Sequence, residues 1–325
     1  MLIAYVCDGA RLRRLPAPVS HDDLRRAVWI DLVAPDEQER RAVADATGRR
    51  VPTEAQLSEI ETSSRLNFQD DVFILSMPLI ARDESGVRGV AGGFVLSRDQ
   101  LVTVRFAPHL IFDRYAEKEA VNEVHGRGSI HVFAGLMEAL IDRAADGLEQ
   151  VRADMDALSA RIFGRDVVRA KRREDAILRD TLAALGRIGD VISLIRDSQV
   201  GAERIIPYVE RSSAEWIPAE IKERLRVMAM DVHSLNEFDT HLNDKLQFLL
   251  DATLGFISIA QNNVMKVMTV TSVVGIPPVL VAGIYGMNFK YMPELNWTWG
   301  YPFGWAMIIL SALIPLAWFR LRDWI

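Results

Sequence analysis

One face of a predicted helix near the end of the sequence carries a row of polar side chains that could meet cations. At about 100° per residue, seven positions fall within one narrow sector: Asp251, Ser258, Asn262, Met265, Thr269, Ile276 and Leu280. Oxygen ligands suit hard cations, and polar groups in a membrane are costly unless they face protein or water. This row, called the stripe, therefore suggests a water-filled passage, less strongly where it turns apolar at Ile276 and Leu280. A helix-packing face explains the periodicity equally well.

A second candidate site lies upstream on the same helix. His233, Glu237 and His241 follow one another in steps of four residues. Imidazole and carboxylate groups at this spacing resemble a site for Zn²⁺, Co²⁺ or Ni²⁺. An exposed polar face of the helix is the simpler interpretation, and it stays open.

The stripe belongs to the first of two predicted transmembrane helices. Residues 267–289 contain no charged side chain, and residues 301–319 form a second uncharged run. A bilayer core of about 30 Å requires roughly 20 apolar residues in a helix, so each run is long enough to cross it. We therefore predict a transmembrane domain at 266–325, with spans at about 266–286 and 301–320.

The charges that flank the spans predict their orientation. Arg320 and Arg322 follow the second span and Lys266 begins the first, whereas the connecting loop carries one lysine and one glutamate. By the positive-inside rule both termini lie in the cytoplasm. The net charge of −6 indicates no basic surface for nucleic acid. Cys7 is the only cysteine, which excludes an intrachain disulfide.

Residues 1–125 are predicted to form a cytoplasmic α/β domain. Its strand-like runs are Leu2–Cys7, Val28–Val33, Val72–Pro78, Gly93–Leu96 and Leu101–Phe106. One helix is predicted from Pro35 to a stop at Gly48, and another after Pro52. No phosphate loop, nucleophile elbow or metalloprotease motif occurs in this region, which disfavours an enzyme.

Residues 126–265 follow a helical pattern instead. Apolar residues recur in steps of three and four from Ser129 to Gly164 and again from about Arg173 to Val200, which predicts an antiparallel helical hairpin. A third helix starts near Pro218, and nothing stops its pattern before the first span. We therefore predict one helix over residues 219–285, a stalk that continues into the membrane over about 100 Å.

The segment after the first span resembles a known family. Gly286–Met287–Asn288 is followed by Met292–Pro293–Glu294–Leu295 and by Gly-Tyr-Pro at 300–302, and the tail reads RLRDWI. In combination and in position, these motifs are similar to the signature of the CorA magnesium transporter family. The layout agrees over the whole chain, from the α/β domain through the helical hairpin and stalk to the two spans.

The resemblance implies an α+β membrane protein that forms a funnel-shaped homopentamer. Its five first spans would line a pore, so that the stripe becomes the conduction path. Gly286, Met287 and Asn288 would ring the outer mouth as a selectivity filter; a simple helix cap is the alternative. Glu294 would attract cations to the mouth, unless it is a solvated residue balanced by Lys290.

The resemblance also implies transport of Mg²⁺ across the cytoplasmic (inner) membrane, with Co²⁺ and Ni²⁺ as further candidates and without an organic cofactor. Partners would be lipid, divalent cations and the other subunits. Intracellular Mg²⁺ would regulate the pore by binding between neighbouring cytoplasmic domains. Asp83 and Asp231 are the candidate regulatory ligands, although the family's stalk acid aligns with Val227 and a solvated carboxylate explains either residue.

Two other functions stay open. A zinc transporter of the ZntB type would share the fold and the Gly–Met–Asn motif, although the Met-Pro-Glu-Leu loop favours the CorA branch. A two-span membrane sensor or enzyme is the more remote alternative.

Overall fold

The computed structural model describes residues 1–9, 11–59, 61, 65–83, 86–121, 128–164, 174–212, 214–288, 290–322 and 324. Two units divide the chain: residues 1–165 with 182–249 form the first, and residues 166–181 with 250–325 form the second.

A seven-stranded sheet forms the centre of the first unit, in the order β2-β1-β3-β7-β6-β5-β4. Its strands are β1 (Leu2–Asp8), β2 (Arg11–Arg14), β3 (Trp29–Val33), β4 (Leu66–Gln69), β5 (Val72–Asp83), β6 (Gly86–Leu96) and β7 (Leu101–Arg105). Strands β3 and β7 run parallel, and every other neighbouring pair is antiparallel.

The five predicted strands are confirmed, but two strands were missed. Both missed strands, β2 and β4, have four residues and lie at the two edges of the sheet. The first contains one apolar residue in Arg-Leu-Arg-Arg, so its sequence gives almost no strand signal. Strand β6 also begins at Gly86, well before the predicted Gly93.

One face of the sheet is covered by short helices α1 (His21–Arg26), α2 (Glu37–Thr47) and α3 (Glu54–Leu57). Helix α2 confirms its prediction: Asp36 and Glu39 form a reciprocal capping box, and Gly48 ends the helix in the left-handed region at φ 68°. The helix expected after Pro52 is only one turn long. Helix α1 was not predicted.

Four longer helices lie on the other side: α4 (Leu110–Val121), α5 (Ser129–Phe163), α6 (Glu174–Glu210) and α7 (Ala219–Tyr285). Side chains of α4, α5, α6 and α7 share one core with the sheet. Helix α6 continues past the predicted end at Val200, and its Gly201 lies against β5, where a Cβ atom would collide with Met77. The boundary at residue 125 stays a sequence-based division, since one core includes residues from both sides.

Polar contacts fix the directions of the three long helices. Helix α7 runs parallel to α5 and antiparallel to α6, so α5 and α6 are antiparallel, as predicted. The contacts are Arg224 with Glu138, Lys245 with Asp156, Arg196 with Asp239, and Asn236 with Glu203.

The prediction of one helix over residues 219–285 is confirmed by α7. Pro277 and Pro278 both lie within it. A short 3₁₀ turn at Pro293–Asn296 follows, and then α8 (Gly300–Leu321). In the described part of the chain, α7 and α8 are the two helices long and apolar enough to cross a membrane.

A buried ion pair links the sheet to α4. The Asp31 carboxylate on β3 accepts hydrogen bonds from the Thr103 hydroxyl at 2.7 Å and from Arg105 Nη2 at 2.8 Å, both on β7. Arg105 also donates to Asp113 on α4 at 2.9 Å. Burial alone would lower the pKa of the Arg105 guanidinium, but Asp31 and Asp113 outweigh it and hold this pKa above its usual value.

Asp31→Ala should lower the free energy of unfolding by about 3–5 kcal/mol, because it leaves the buried guanidinium without its main partner. Asp8→Ala, which removes an exposed ion pair to Arg13, should cost less than about 1 kcal/mol. Denaturant unfolding of the full chain in detergent, followed by near-ultraviolet circular dichroism, measures both. Equal losses would contradict a structural role for the buried pair.

Candidate functional site

The seven stripe residues lie along α7 and are all exposed on the single subunit. Met265 exposes 61% of its surface and Ile276 63%, but Val267 on another face exposes 66%. None of the most apolar window of α7 is buried. The rest of the chain therefore does not cover this span, and lipid or other chains must do so.

Two grooves divide the stripe into a polar and an apolar part. Asn262, Met265 and Thr269 line one groove, together with Ile259, Asn263, Lys266 and Trp324. Ile276 and Leu280 line the other, together with Thr271, Gly275, Val279, Gly283, Ile284 and Met287. Five of the seven stripe residues therefore line one of these two grooves. A passage for ions along them remains a prediction.

Threonine hydroxyls in this region are hydrogen-bonded to the helix itself. Thr269 Oγ1 donates to the Met265 carbonyl at 2.8 Å, and Thr271 Oγ1 donates to the Val267 carbonyl at the same distance. A hydroxyl has one hydrogen and two lone pairs, so each threonine keeps acceptor capacity after this bond. The Thr269 oxygen therefore faces outward as an acceptor.

The start of the first span and the end of the second lie side by side. The Lys266 ammonium lies 5.9 Å from the ring centre of Trp324, which follows α8. The Trp324 ring also contacts Phe319, at 5.4 Å between centroids. These contacts bear out the predicted hairpin, because they place the beginning of one span level with the end of the other.

Helix α7 ends where the Gly286–Met287–Asn288 segment begins. The Gly286 N–H donates to Ala282 O at 3.0 Å, and the Met287 N–H donates to Ile284 O at 3.2 Å, so the last turn tightens. Gly286 does not have a positive φ, so the left-handed cap considered from the sequence does not form. All three residues are exposed.

The loop after this segment is held by short contacts of its own. The Trp297 N–H donates to Glu294 O at 3.3 Å, and the Gly300 N–H donates to Trp297 O at 2.9 Å. Gly300 must be glycine because a Cβ atom there would collide with the Glu294 carbonyl oxygen. The Glu294 side chain itself is half-buried.

Comparison with known proteins agrees with this arrangement. The family model described as CorA-like Mg²⁺ transporter protein matches residues 25–321. The chain belongs to the CorA-like Mg²⁺ transporter family.

Relatives and solved structures match along the whole length. The chain is 32% identical to the magnesium transport proteins CorA of Pectobacterium atrosepticum and Escherichia coli K12, over 100% of each sequence. Its fold matches the complete CorA structure from Methanocaldococcus jannaschii with a TM-score of 0.76 at 18% identity, covering 100% of this chain and 99% of that one. The full-length CmaX protein gives a TM-score of 0.71 at 16% identity, with 99% and 97% covered.

In this CorA-family chain, the structure describes the two candidate regulatory acids to different extents. Asp83 ends β5 and pairs with Gly86 through its backbone, but its side chain lies outside the described residues. Asp231 is exposed on α7. Neither placement tests a regulatory role, which stays a prediction.

Asp231 lies near acidic residues on α5 that sequence reasoning missed. Partial burial raises the pKa of the Asp142 carboxyl. The nearby carboxylates of Glu138, Asp146 and Asp231 raise this pKa further, whereas Lys118 lowers it. The signal in the sequence was three acids in steps of four, at 138, 142 and 146. These residues and Asp231 are called the acidic patch below.

The predicted transition-metal site does not assemble within one subunit. His233 Nε2 lies 3.8 Å from Glu237 Oε1, and both side chains are 70% exposed. Among the residues with a described placement, no group of three or more His, Cys, Asp or Glu side chains could hold a metal ion. The exposed polar face is therefore the better description of His233, Glu237 and His241.

Asp142→Asn should raise the melting temperature at pH 7. The folded-state pKa of Asp142 is raised above its ordinary 3.8, so the ionised carboxyl destabilises the fold at every pH above the raised value. The gain should fade as the pH falls through the raised pKa and vanish below about 3.8. Thermal melting from pH 7 to pH 3 measures it.

Asp156→Asn is the matched control, because its hydrogen bond to Lys245 lowers the pKa of Asp156. This variant should be neutral or destabilising at pH 7. Millimolar Mg²⁺ should shrink the advantage of Asp142→Asn by screening the patch, and Na⁺ at equal ionic strength should do so less. An Asp142→Asn variant that is less stable than wild type at pH 7 would contradict repulsion within the patch.

Proposed function

We propose that this chain is a subunit of a Mg²⁺ channel in the cytoplasmic (inner) membrane. The main support is that the polar part of the stripe lies on an uncovered apolar helix, and that the Gly286–Met287–Asn288 segment directly follows this helix, in a CorA-family chain. Relatives that share 32% identity over the full length are named magnesium transport proteins. No enzymatic activity is proposed, and no organic cofactor.

The geometry of the spans supports a ring of subunits. Two helices per chain cannot enclose a passage, whereas a symmetric ring of α7 helices can. The exposure of the whole first span supports this, since a ring would bury one side against neighbours. The family resemblance implies five copies, arranged as a funnel, and we propose a homopentamer. Loop charges support placing both termini in the cytoplasm.

The phase of α7 supports a passage on the stripe side. Leu242, Leu246 and Leu249 are buried in the cytoplasmic part of the helix. At 3.6 residues per turn they lie roughly 140–200° around the helix from Asn262. The face that carries the stripe is therefore opposite to the face that packs in the chain's own core, and it is free to meet other copies.

The chemistry of the stripe suits a hydrated ion. Mg²⁺ gives up water reluctantly, and its bound waters point their hydrogens outward, so they require acceptors. The Thr269 hydroxyl and the Asn262 amide oxygen supply neutral acceptors. Neutral oxygens bind such an ion weakly enough for it to leave, as conduction requires. Asn288 would present the same acceptor at the outer mouth, and Glu294 would attract cations to it.

We propose that Co²⁺ and Ni²⁺ also pass. A path that contacts ions through their bound water selects them by charge and hydrated size more than by their preference for hard or soft ligands. Zinc transport is the competing ion preference. Uptake of Mg²⁺, Co²⁺, Ni²⁺ and Zn²⁺ into liposomes that contain the purified protein, compared side by side, separates the two. Uptake of Zn²⁺ alone would reject the Mg²⁺ assignment.

We further propose that intracellular Mg²⁺ closes the channel by binding at the acidic patch between neighbouring subunits, with Asp83 as a second ligand. The observation behind this is that Glu138, Asp146 and Asp231 lie close enough to Asp142 to raise its pKa, in addition to the larger effect of burial. A divalent cation would relieve the repulsion among these carboxylates. Asp231→Asn should then make uptake less sensitive to Mg²⁺ inside the liposome. Unchanged sensitivity would make the patch an ordinary acidic surface.

Asn288→Ala should reduce the initial rate of Mg²⁺ uptake at least about tenfold, because it removes an amide that hydrogen-bonds a charged, hydrated ion. Asn296→Ala in the same loop is the matched control and should retain uptake. Size-exclusion chromatography in detergent checks that both variants assemble like wild type. Wild-type uptake by an assembled Asn288→Ala variant would reject the filter.

Cysteine labelling tests the passage itself. In a Cys7→Ser background, cysteines at Asn262, Met265 and Thr269 should react severalfold faster with a small water-soluble thiol reagent than cysteines at Val267 and Val270. The reason is that only the thiolate reacts, and a lipid-facing thiol stays protonated. Val267 is a strict control, since the single subunit exposes it as fully as Met265. Equal rates at all five positions would contradict the passage.

A further inference from the structure

Lys266 places a positive charge next to the proposed path for cations. It follows Asn262 by four residues and precedes Thr269 by three, so the three side chains are neighbours on one helix face. All three line the same groove. An ammonium group that reached across this groove would repel an approaching divalent ion. The direction in which the Lys266 side chain points is therefore important for conduction.

The Lys266 side chain contacts Trp324 at the side of the stripe. The Lys266 ammonium lies 5.9 Å from the ring centre of Trp324, within the range of a cation–π interaction. Two contacts hold this residue: the Trp324 backbone N–H donates to the Phe319 carbonyl at 3.0 Å, and the Trp324 ring contacts the buried Phe319 ring. Lys266 lies roughly 40° around the helix from Asn262, on the flank that carries Ile259.

We propose that Trp324 is a positioning residue for conduction: it draws the Lys266 ammonium to the flank of the stripe and away from Asn262 and Thr269. This inference rests on the proposed function, because it assumes that the stripe faces the ion. In a ring of subunits each chain contributes one such pair. Without the indole, the ammonium groups would be free to point across the passage. Their positive charges would then together repel a divalent cation.

The test combines single and double variants in the liposome assay. Trp324→Ala should lower the initial rate of Mg²⁺ uptake about fivefold, the population shift expected when a cation–π contact is lost. Lys266→Gln/Trp324→Ala should recover the rate of Lys266→Gln, because no charge remains to be misplaced. Trp324→Phe should retain most uptake, since a phenyl ring still presents a π face. Trp318→Ala is the matched control, because its indole faces Arg322 at 5.6 Å instead.

A chemical readout separates this inference from the proposed function. A water-soluble acylating reagent, followed by mass spectrometry, gives the reactivity of Lys266 relative to Lys290 in the connecting loop. Trp324→Ala should raise this ratio, and Trp318→Ala should not. If the wild type takes up no Mg²⁺, the proposed function fails, whereas the reactivity ratio still decides whether the contact exists.

Two results would overturn the proposal. Uptake and Lys266 reactivity that both stay at wild-type values in Trp324→Ala would show that the indole does not position the lysine. Uptake that falls in Trp324→Ala and stays low in the double variant would show that Trp324 supports the packing of the second span and not the placement of a charge.

Discussion

A polypeptide backbone in hydrocarbon has no water to bind, so each N–H and C=O group must find its partner inside the same segment. Helix α7 meets most of this constraint as one helix from Ala219 to Tyr285; Pro277 and Pro278 have no N–H to donate to the carbonyls four residues earlier, at Val273 and Val274. The same helix supplies buried leucines to the core of the first unit and carries the polar stripe. Its uncovered apolar surface must be covered by lipid or by other chains, and the proposed ring of subunits would cover part of it.

Charge is distributed differently in the two parts of the chain. The first unit uses full charges, both in the buried pair of Asp31 and Arg105 and in the acidic patch, where water and ion partners offset their cost. In the polar part of the stripe, Asn262 and Thr269 offer neutral oxygens, and the charged Lys266 beside them lies against an indole. Strong binding of Mg²⁺ would thus suit the acidic patch, the proposed regulatory site, and weak binding would suit the proposed path, which the ion must leave.

Much of this organisation could be predicted because its signals are long. The 67-residue α7 and the long α5 rest on patterns repeated over many turns, and these predictions are confirmed. Both apolar runs lie in helices that are long and apolar enough to cross a membrane. Strands β2 and β4 were missed because four residues at a sheet edge carry little periodicity. The acidic patch was missed because it combines α5 with Asp231, residues that only tertiary packing brings together. The sequence places the stripe on one face of α7. It does not distinguish this face from the other faces of the span, and the structure does not either, because the single chain leaves all of them uncovered.

The continuity of α7 also limits how the length of such a chain can change during evolution. Each residue inserted or deleted between Leu249 and Asn262 would turn everything beyond it by about 100° around the helix axis. In the proposed ring, loss of one residue would turn Asn262 away from the central axis and toward a neighbouring helix. A change of seven residues restores the direction to within about 20°. Homologous stalks of different length are therefore expected to differ by seven or eleven residues at this point, or to interrupt the helix.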